Sequence, residues 1–158
     1  YGDFGLNVFN SRSLAYLREK GLSSACVSFE LRFAQIRDLH KPLPTEAVVY
    51  GRLPVMITEN CLLQNTVGCR CDRANVLVDR TGAAFPILPA FGHRTELQNS
   101  RPLWLADRPD WRRLGLTYAR LRFTTESPEE CVRVFRAYQT GGAPAGPFTR
   151  GLYERGVE

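Results

Sequence analysis

Apolar positions in the first fifty residues come in short bursts whose spacing switches between strand and helix periods. Leu6-Asn7-Val8-Phe9 reads as a strand. Asn10 or Ser11 can cap the helix after it, Leu14, Leu17 and Ala15 or Tyr16 supply that helix's apolar stripe, and Gly21 stands at its stop. Ala25–Phe29 is the next strand, Glu30–Leu39 carries helical spacing, and Lys41-Pro42-Leu43-Pro44 breaks the chain. Ala47–Gly51 is a third strand. Strand, helix, strand, helix, strand with short turns predicts parallel pairing and right-handed crossovers. Three such strands cannot close a barrel alone, so they read as an open edge or as the last part of one.

The middle of the chain changes character. Leu53–Thr58 is apolar, and a loop containing cysteine and glycine follows from Asn60 to Asp72. Val76–Leu88 has the alternation of a hairpin turning at Thr81-Gly82. The end returns to one strand–helix unit. From Thr117 to Phe123 the residues alternate, with Ala119, Leu121 and Phe123 on one face and Tyr118, Arg120 and Arg122 on the other. Ser127-Pro128-Glu129-Glu130 is a helix start, with serine at the cap, proline in the first position and glutamate in the third. Cys131, Val134 or Phe135, and Tyr138 then form a buried stripe, and Gly141–Pro147 is a loop. The expected organisation is 1–52 as strand–helix units, 53–105 as a loop and hairpin region, and 106–158 as a last strand–helix unit with its tail.

Composition narrows the class. With 158 residues, 44% hydrophobic and 23% charged, the chain is of ordinary globular make-up and about one domain long. No run approaches the roughly 20 apolar residues of a membrane helix. The net charge is +5, and Lys20 and Lys41 are the only lysines, so arginine carries the positive charge. Arginine's planar fork suits phosphate and base recognition, although a GC-rich genome produces the same bias. The charge permits nucleic acid without requiring it. The chain starts at Tyr1 rather than at methionine and opens on what reads as an internal strand, so a piece of a longer protein is expected.

Chemistry concentrates in the middle. Five cysteines, three of them (Cys61, Cys69 and Cys71) within eleven positions, do not fit an even, dispersed disulfide framework; a reducing, cytoplasmic setting with a thiolate site fits better. Cys61, Cys69, Cys71 and His93 offer soft and borderline donors suited to tetrahedral zinc or to an iron–sulfur cluster. Arg70 and Arg73 would favour the thiolates. The spacing is not that of a standard zinc finger, and buried inert thiols beside a surface histidine are the plain alternative. Cys61 or Cys69 with His93 could also form a thiolate–imidazole pair for peptide hydrolysis, but nothing visible orients the histidine. Cys26 and Cys131 read as core residues and His40 as a loop residue in solvent. No phosphate-cradling glycine loop, serine-hydrolase elbow or zinc-protease helix is present.

Several of these segments resemble the collagenase-like peptidase family U32, of unassigned catalytic type. They are Gly2–Ser11, Ser28–Leu31, the span from Glu46 to Gly51 at the spacing of the family signature, Asp79-Arg80, Phe85-Pro86, Asn99-Ser100 and Thr149–Val157. The resemblance implies an α/β fold, namely the C-terminal strand–helix units of a TIM-like barrel with a cysteine-bearing hairpin insertion and a final strand–helix unit. The N-terminal barrel units of the same protein would then be missing partners. Despite the protease label, the resemblance also implies oxygen-independent hydroxylation, of RNA bases or of the ubiquinone ring, by members that hold an iron–sulfur cluster on four cysteines. Carried over, Cys61 matches one ligand and Cys69 or Cys71 the next. His93 stands where many relatives have the last cysteine, and Pro54 where some branches have the first. The remaining set of three cysteines and one histidine also makes a common structural zinc site.

Three functions follow as expectations. The preferred one is part of a metal- or iron–sulfur-dependent enzyme that hydroxylates RNA bases, with RNA as partner and Arg120, Arg122, Arg133 and Arg136 against phosphate. The others are a collagenase-like peptidase and a non-catalytic metal-binding module.

Overall fold

The computed structural model describes residues 1–64, 68 and 75–156. It is a mixed α/β structure in two compact units: residues 1–51 together with 103–158, and residues 52–102.

The first unit is built on a largely parallel sheet. Its strands are β1 (Ala25–Cys26), β2 (Thr45–Gly51), the short β7 (Leu103–Trp104) and β8 (Tyr118–Leu121). β2 is central. It runs parallel to β1 through Thr45 and Glu46 and parallel to β8 from Glu46 to Tyr50, while β7 pairs antiparallel with Tyr50 and Gly51. The segment expected as the first strand instead makes single parallel bridges to the β1 segment at Gly2 and Val8, with a 3-10 turn over Phe4–Leu6 between them. Short polar side chains cause the difference. The Asp3 carboxylate accepts from the Phe4 N–H at 2.7 Å, and Asn7 closes the turn in the left-handed region at φ 50°.

Three helices follow the strands: α1 (Ser11–Glu19), α2 (Phe33–Asp38) and α3 (Pro128–Thr140). α1 starts where expected, because the Asn10 side chain accepts from the Ser13 N–H at 2.9 Å. α2 starts three residues later than the spacing suggests, since Ser28 Oγ accepts from the Glu30 N–H at 3.3 Å and holds a turn there. α3 has the predicted capping box, with Ser127 Oγ accepting from the Glu130 N–H and the Glu130 carboxylate from the Ser127 N–H. It buries Val134 and Tyr138 and leaves Phe135 54% exposed, so Val134 is the stripe residue of the two. The core gathers Val8, Leu14, Val27, Leu31, Ile36, Val48, Val49 and Leu103 with Tyr153.

The second unit is an antiparallel sheet of β3 (Pro54–Thr58), β4 (Asn75–Val78), β5 (Ala84–Ala90) and β6 (Arg94–Gln98), in the order β3-β6-β5-β4. The β4–β5 hairpin turns where predicted. Asp79 Oδ1 accepts from the N–H groups of Thr81 and Ala83, and Gly82 takes φ 82°. No helix among the described residues is long and apolar enough to cross a membrane.

Candidate functional site

Of the four expected donors, Cys61 and His93 fall within the described residues, whereas Cys69 and Cys71 lie outside them. Cys61 follows β3 by three positions and is buried, with 7% exposure. Thr58 Oγ1 donates to the Asn60 carbonyl at 2.6 Å. The chain around Cys61 is tied to β6 by the Leu62 N–H, which donates to Thr95 Oγ1 at 3.2 Å, and by Arg94, which pairs with Glu59 at 2.9 Å. His93 sits in the 3-10 turn between β5 and β6, exposed, two residues before Thr95. Gly92 and His93 both take left-handed conformations, φ 71° and 62°; for histidine this is an uncommon and mildly strained state.

Register places these two donors at one end of the sheet. Thr58 pairs with Thr95, and Thr95 with Pro89, so the exit from β3 and the β5–β6 turn lie together. The chain enters β4 at Asn75, opposite Ile87 at the middle of β5. Of the described flanks of the segment that carries Cys69 and Cys71, the one leaving β3 meets the sheet on the side of His93. A thiol and an imidazole are half of the donor set that zinc or a thiolate-bound cluster takes, and they suit either. Among the described residues no group of three or more His, Cys, Asp or Glu side chains is placed to hold a metal ion.

A second cluster, on the parallel sheet, was not visible as a cluster in the sequence. Glu46 on β2 is the register partner of Cys26 on β1, and Arg120 on β8 is the partner of Val48, so the three side chains share a sheet face. Arg120 forms ion pairs with Asp3 and with Glu46. Burial, reinforced by the Glu46 carboxylate, pushes the Cys26 thiol up to about 12, so it stays protonated and is no nucleophile. The core role expected for Cys26 fits this placement. His40 is exposed in its loop, as expected.

The four arginines expected to meet phosphate are divided by the sheet. An extra residue in β2 between Val48 and Tyr50 turns the Tyr50 side chain to the opposite face, where it lies 6.1 Å from the Tyr138 ring of α3. Arg120 and Arg122 leave β8 on the Glu46 side, while Arg133 and Arg136 are exposed on α3 across the sheet. Arg120 is held by two carboxylates, and Arg122 lies 5.5 Å from the Phe4 ring centroid. The four cannot form one contact surface.

Comparison with known proteins matches residues 4–75 to the model of peptidase family U32. No curated protein and no solved structure matches the chain. The matched stretch runs from the 3-10 turn at Phe4 through Glu46 and Gly51 to the start of β4, and it includes Cys61, Cys69 and Cys71. Over residues 4–75 the chain is similar to peptidase family U32.

Proposed function

We propose that this chain is part of an RNA-modifying enzyme of the oxygen-independent base-hydroxylating kind, with Cys61, Cys69, Cys71 and His93 as the ligands of an iron–sulfur cluster or a zinc ion. The observation that carries the reading is the common sheet end of Cys61 and His93. A bound cluster would supply one-electron chemistry, whereas zinc would hold the loop in place. Cys61 brings a buried thiol, and His93 an imidazole that the strained turn holds outward. The ties from Thr95 and Arg94 fix the loop between them. RNA contact would fall to the exposed Arg133 and Arg136 on α3. The free thiols of Cys26 and Cys131 suit a reducing cytoplasm.

In the same reading the first unit closes a TIM-like barrel. The parallel pairs β1–β2 and β2–β8, with helices α1 and α2 between strands, support it. So does the edge at Gly2 and Val8, which among the described residues pairs only toward β1. Beside that edge lies an open groove of about 410 Å³ lined by Leu6, Val8, Arg12, Ser13, Tyr16 and Leu17. Further N-terminal barrel units of the same protein are its proposed cover.

Metal analysis and absorption spectra after anaerobic purification test the site. Brown protein absorbing near roughly 400 nm, with colour lost in Cys61→Ser, supports a cluster. Colourless protein with stoichiometric zinc, unfolding when the metal is removed, turns the reading into a structural module. Metal-free protein that cleaves peptides, and stops on Cys61→Ser, moves it to the peptidase that the family label suggests. Loss of neither metal nor activity on Cys61→Ser and His93→Ala overturns the site.

A further inference from the structure

Three side chains of the first unit are left unused by the metal reading. Phe4 and Phe29 meet ring to ring, with centroids 5.5 Å apart and planes at 59°, and both rings are only partly buried. The Arg122 guanidinium stands 5.5 Å from the Phe4 centroid. It extends from just past β8, on the side of Arg120, and its backbone N–H is fixed to the Tyr50 carbonyl at 2.9 Å. Core aromatic pairs elsewhere in this unit, such as Tyr50 against Trp104, are buried on both sides. The Phe4–Phe29 pair instead keeps ring surface in water and has an arginine at its rim.

Partly exposed rings next to a planar cation are the chemistry that takes up an unstacked base. Rings and guanidinium planes both stack on a base's π-face, and stacking tolerates any base identity. We propose that Phe4, Phe29 and Arg122 form a stacking platform for an unpaired base of single-stranded RNA, which rests on the RNA-modifying reading above. The local charge gives the site a distinct signature. Asp3 and Glu46 already hold Arg120, so little positive charge remains here for the phosphate backbone. Affinity at this platform therefore comes from stacking, and the salt dependence of binding comes from arginines elsewhere.

The experiment is an anisotropy titration of the full chain with labelled oligoadenylate at several salt concentrations. The variants are Phe4→Leu and Phe29→Leu, which keep apolar bulk and lose the ring. Each should weaken binding about tenfold at every salt concentration and leave the slope of log affinity against log salt unchanged, with the melting temperature near that of the parent. In Phe29→Trp, binding should return to the parental level, and the new tryptophan emission should be quenched by oligoadenylate. Folded leucine variants that bind like the parent overturn the platform while the RNA reading stands. If the leucine variants unfold, an unquenched Phe29→Trp in a chain that binds RNA overturns it equally. A parent chain that binds no oligoadenylate at low salt overturns both.

Discussion

The backbone carbonyl of Arg122 lies against the α-carbon of Gly51 so closely that a Cβ built there would stand 2.1 Å from its oxygen. Gly51 also holds φ 121°, a conformation that side chains rarely adopt. The two ends of the Glu46–Gly51 span thus meet one strand: Glu46 pairs with Arg120, and Gly51 abuts Arg122. Gly51→Ala meets rigid backbone in a strained conformation, and neither can relax without parting β2 from β8. A loss of about 3 kcal/mol or more is expected, read as a lower urea midpoint. An unchanged midpoint would show that β2 and β8 are not packed this closely.

Arg120 joins two carboxylates on the sheet face, Asp3 at 62% side-chain exposure and Glu46 at 19%. The Glu46 contact should carry most of the effect, because water screens the Asp3 pair. Arg120→Met leaves Glu46 partly buried without its cation and should cost about 2 kcal/mol, discounted from the cost of breaking a fully buried pair. Glu46→Gln should cost less. The double variant should cost less than the two single changes added together, since the second removes the charge orphaned by the first. Strict additivity in urea titrations would mean that the pair is absent in solution.

How far the sequence reveals this arrangement depends on how local each feature is. Ser127, Pro128 and Glu130 announce α3 because a capping box needs only four consecutive residues, and Thr81-Gly82 announces its turn for the same reason. The alternation of Arg120 and Arg122 against Leu121 and Phe123 correctly divides the two faces of β8. What the pattern does not contain is the partner of β8. That strand lies beside β2, some seventy residues earlier, so the meeting of Glu46 with Arg120 is a property of the topology. The opening strand fails for a local reason that hydrophobicity does not register: Asp3 captures the Phe4 N–H. In the candidate metal site, thiol and imidazole chemistry is legible in Cys61 and His93. Their common sheet end is set by the pairing of Thr58 with Thr95.

Tyr138 shows how α3 is fastened to the sheet. Its hydroxyl donates to the Val49 carbonyl at 2.5 Å and accepts from the Leu105 N–H at 2.8 Å, bridging β2 and the segment after β7. Burial pushes this phenol well above its ordinary value, so it remains a donor throughout the working pH range. Tyr138→Phe keeps the ring among Tyr50, Trp104 and Trp111 but strands a buried N–H and a buried carbonyl. A loss of about 2 kcal/mol is expected from two unsatisfied backbone groups. Amide exchange should quicken first at Leu105. A phenylalanine variant as stable as the parent would refute the bridge.

Asp107 and Arg150 tie the loop after β7 to the chain's closing segment through two parallel contacts of 2.7 and 2.8 Å, and Arg150 also donates to the Trp104 carbonyl at 2.7 Å. The hydrogen bonds from Arg150 hold the Asp107 carboxyl below the usual carboxylate range. A carboxyl whose folded value lies below its unfolded one stabilises the fold above the unfolded value, about pH 4, and that stability fades as pH falls through the folded value. Asp107→Asn removes this dependence and keeps the shape. At pH 7 the variant should therefore be less stable by about 1 kcal/mol, because the pair is partly solvated. As the pH falls from about 5 toward 3 the gap between parent and variant should close. Carboxylates elsewhere titrate equally in both chains, so the difference between two urea-midpoint profiles isolates this one. A gap that stays constant down to pH 3 would show that the aspartate acts through its shape alone, and a gap that widens would reverse the assigned direction of its shift.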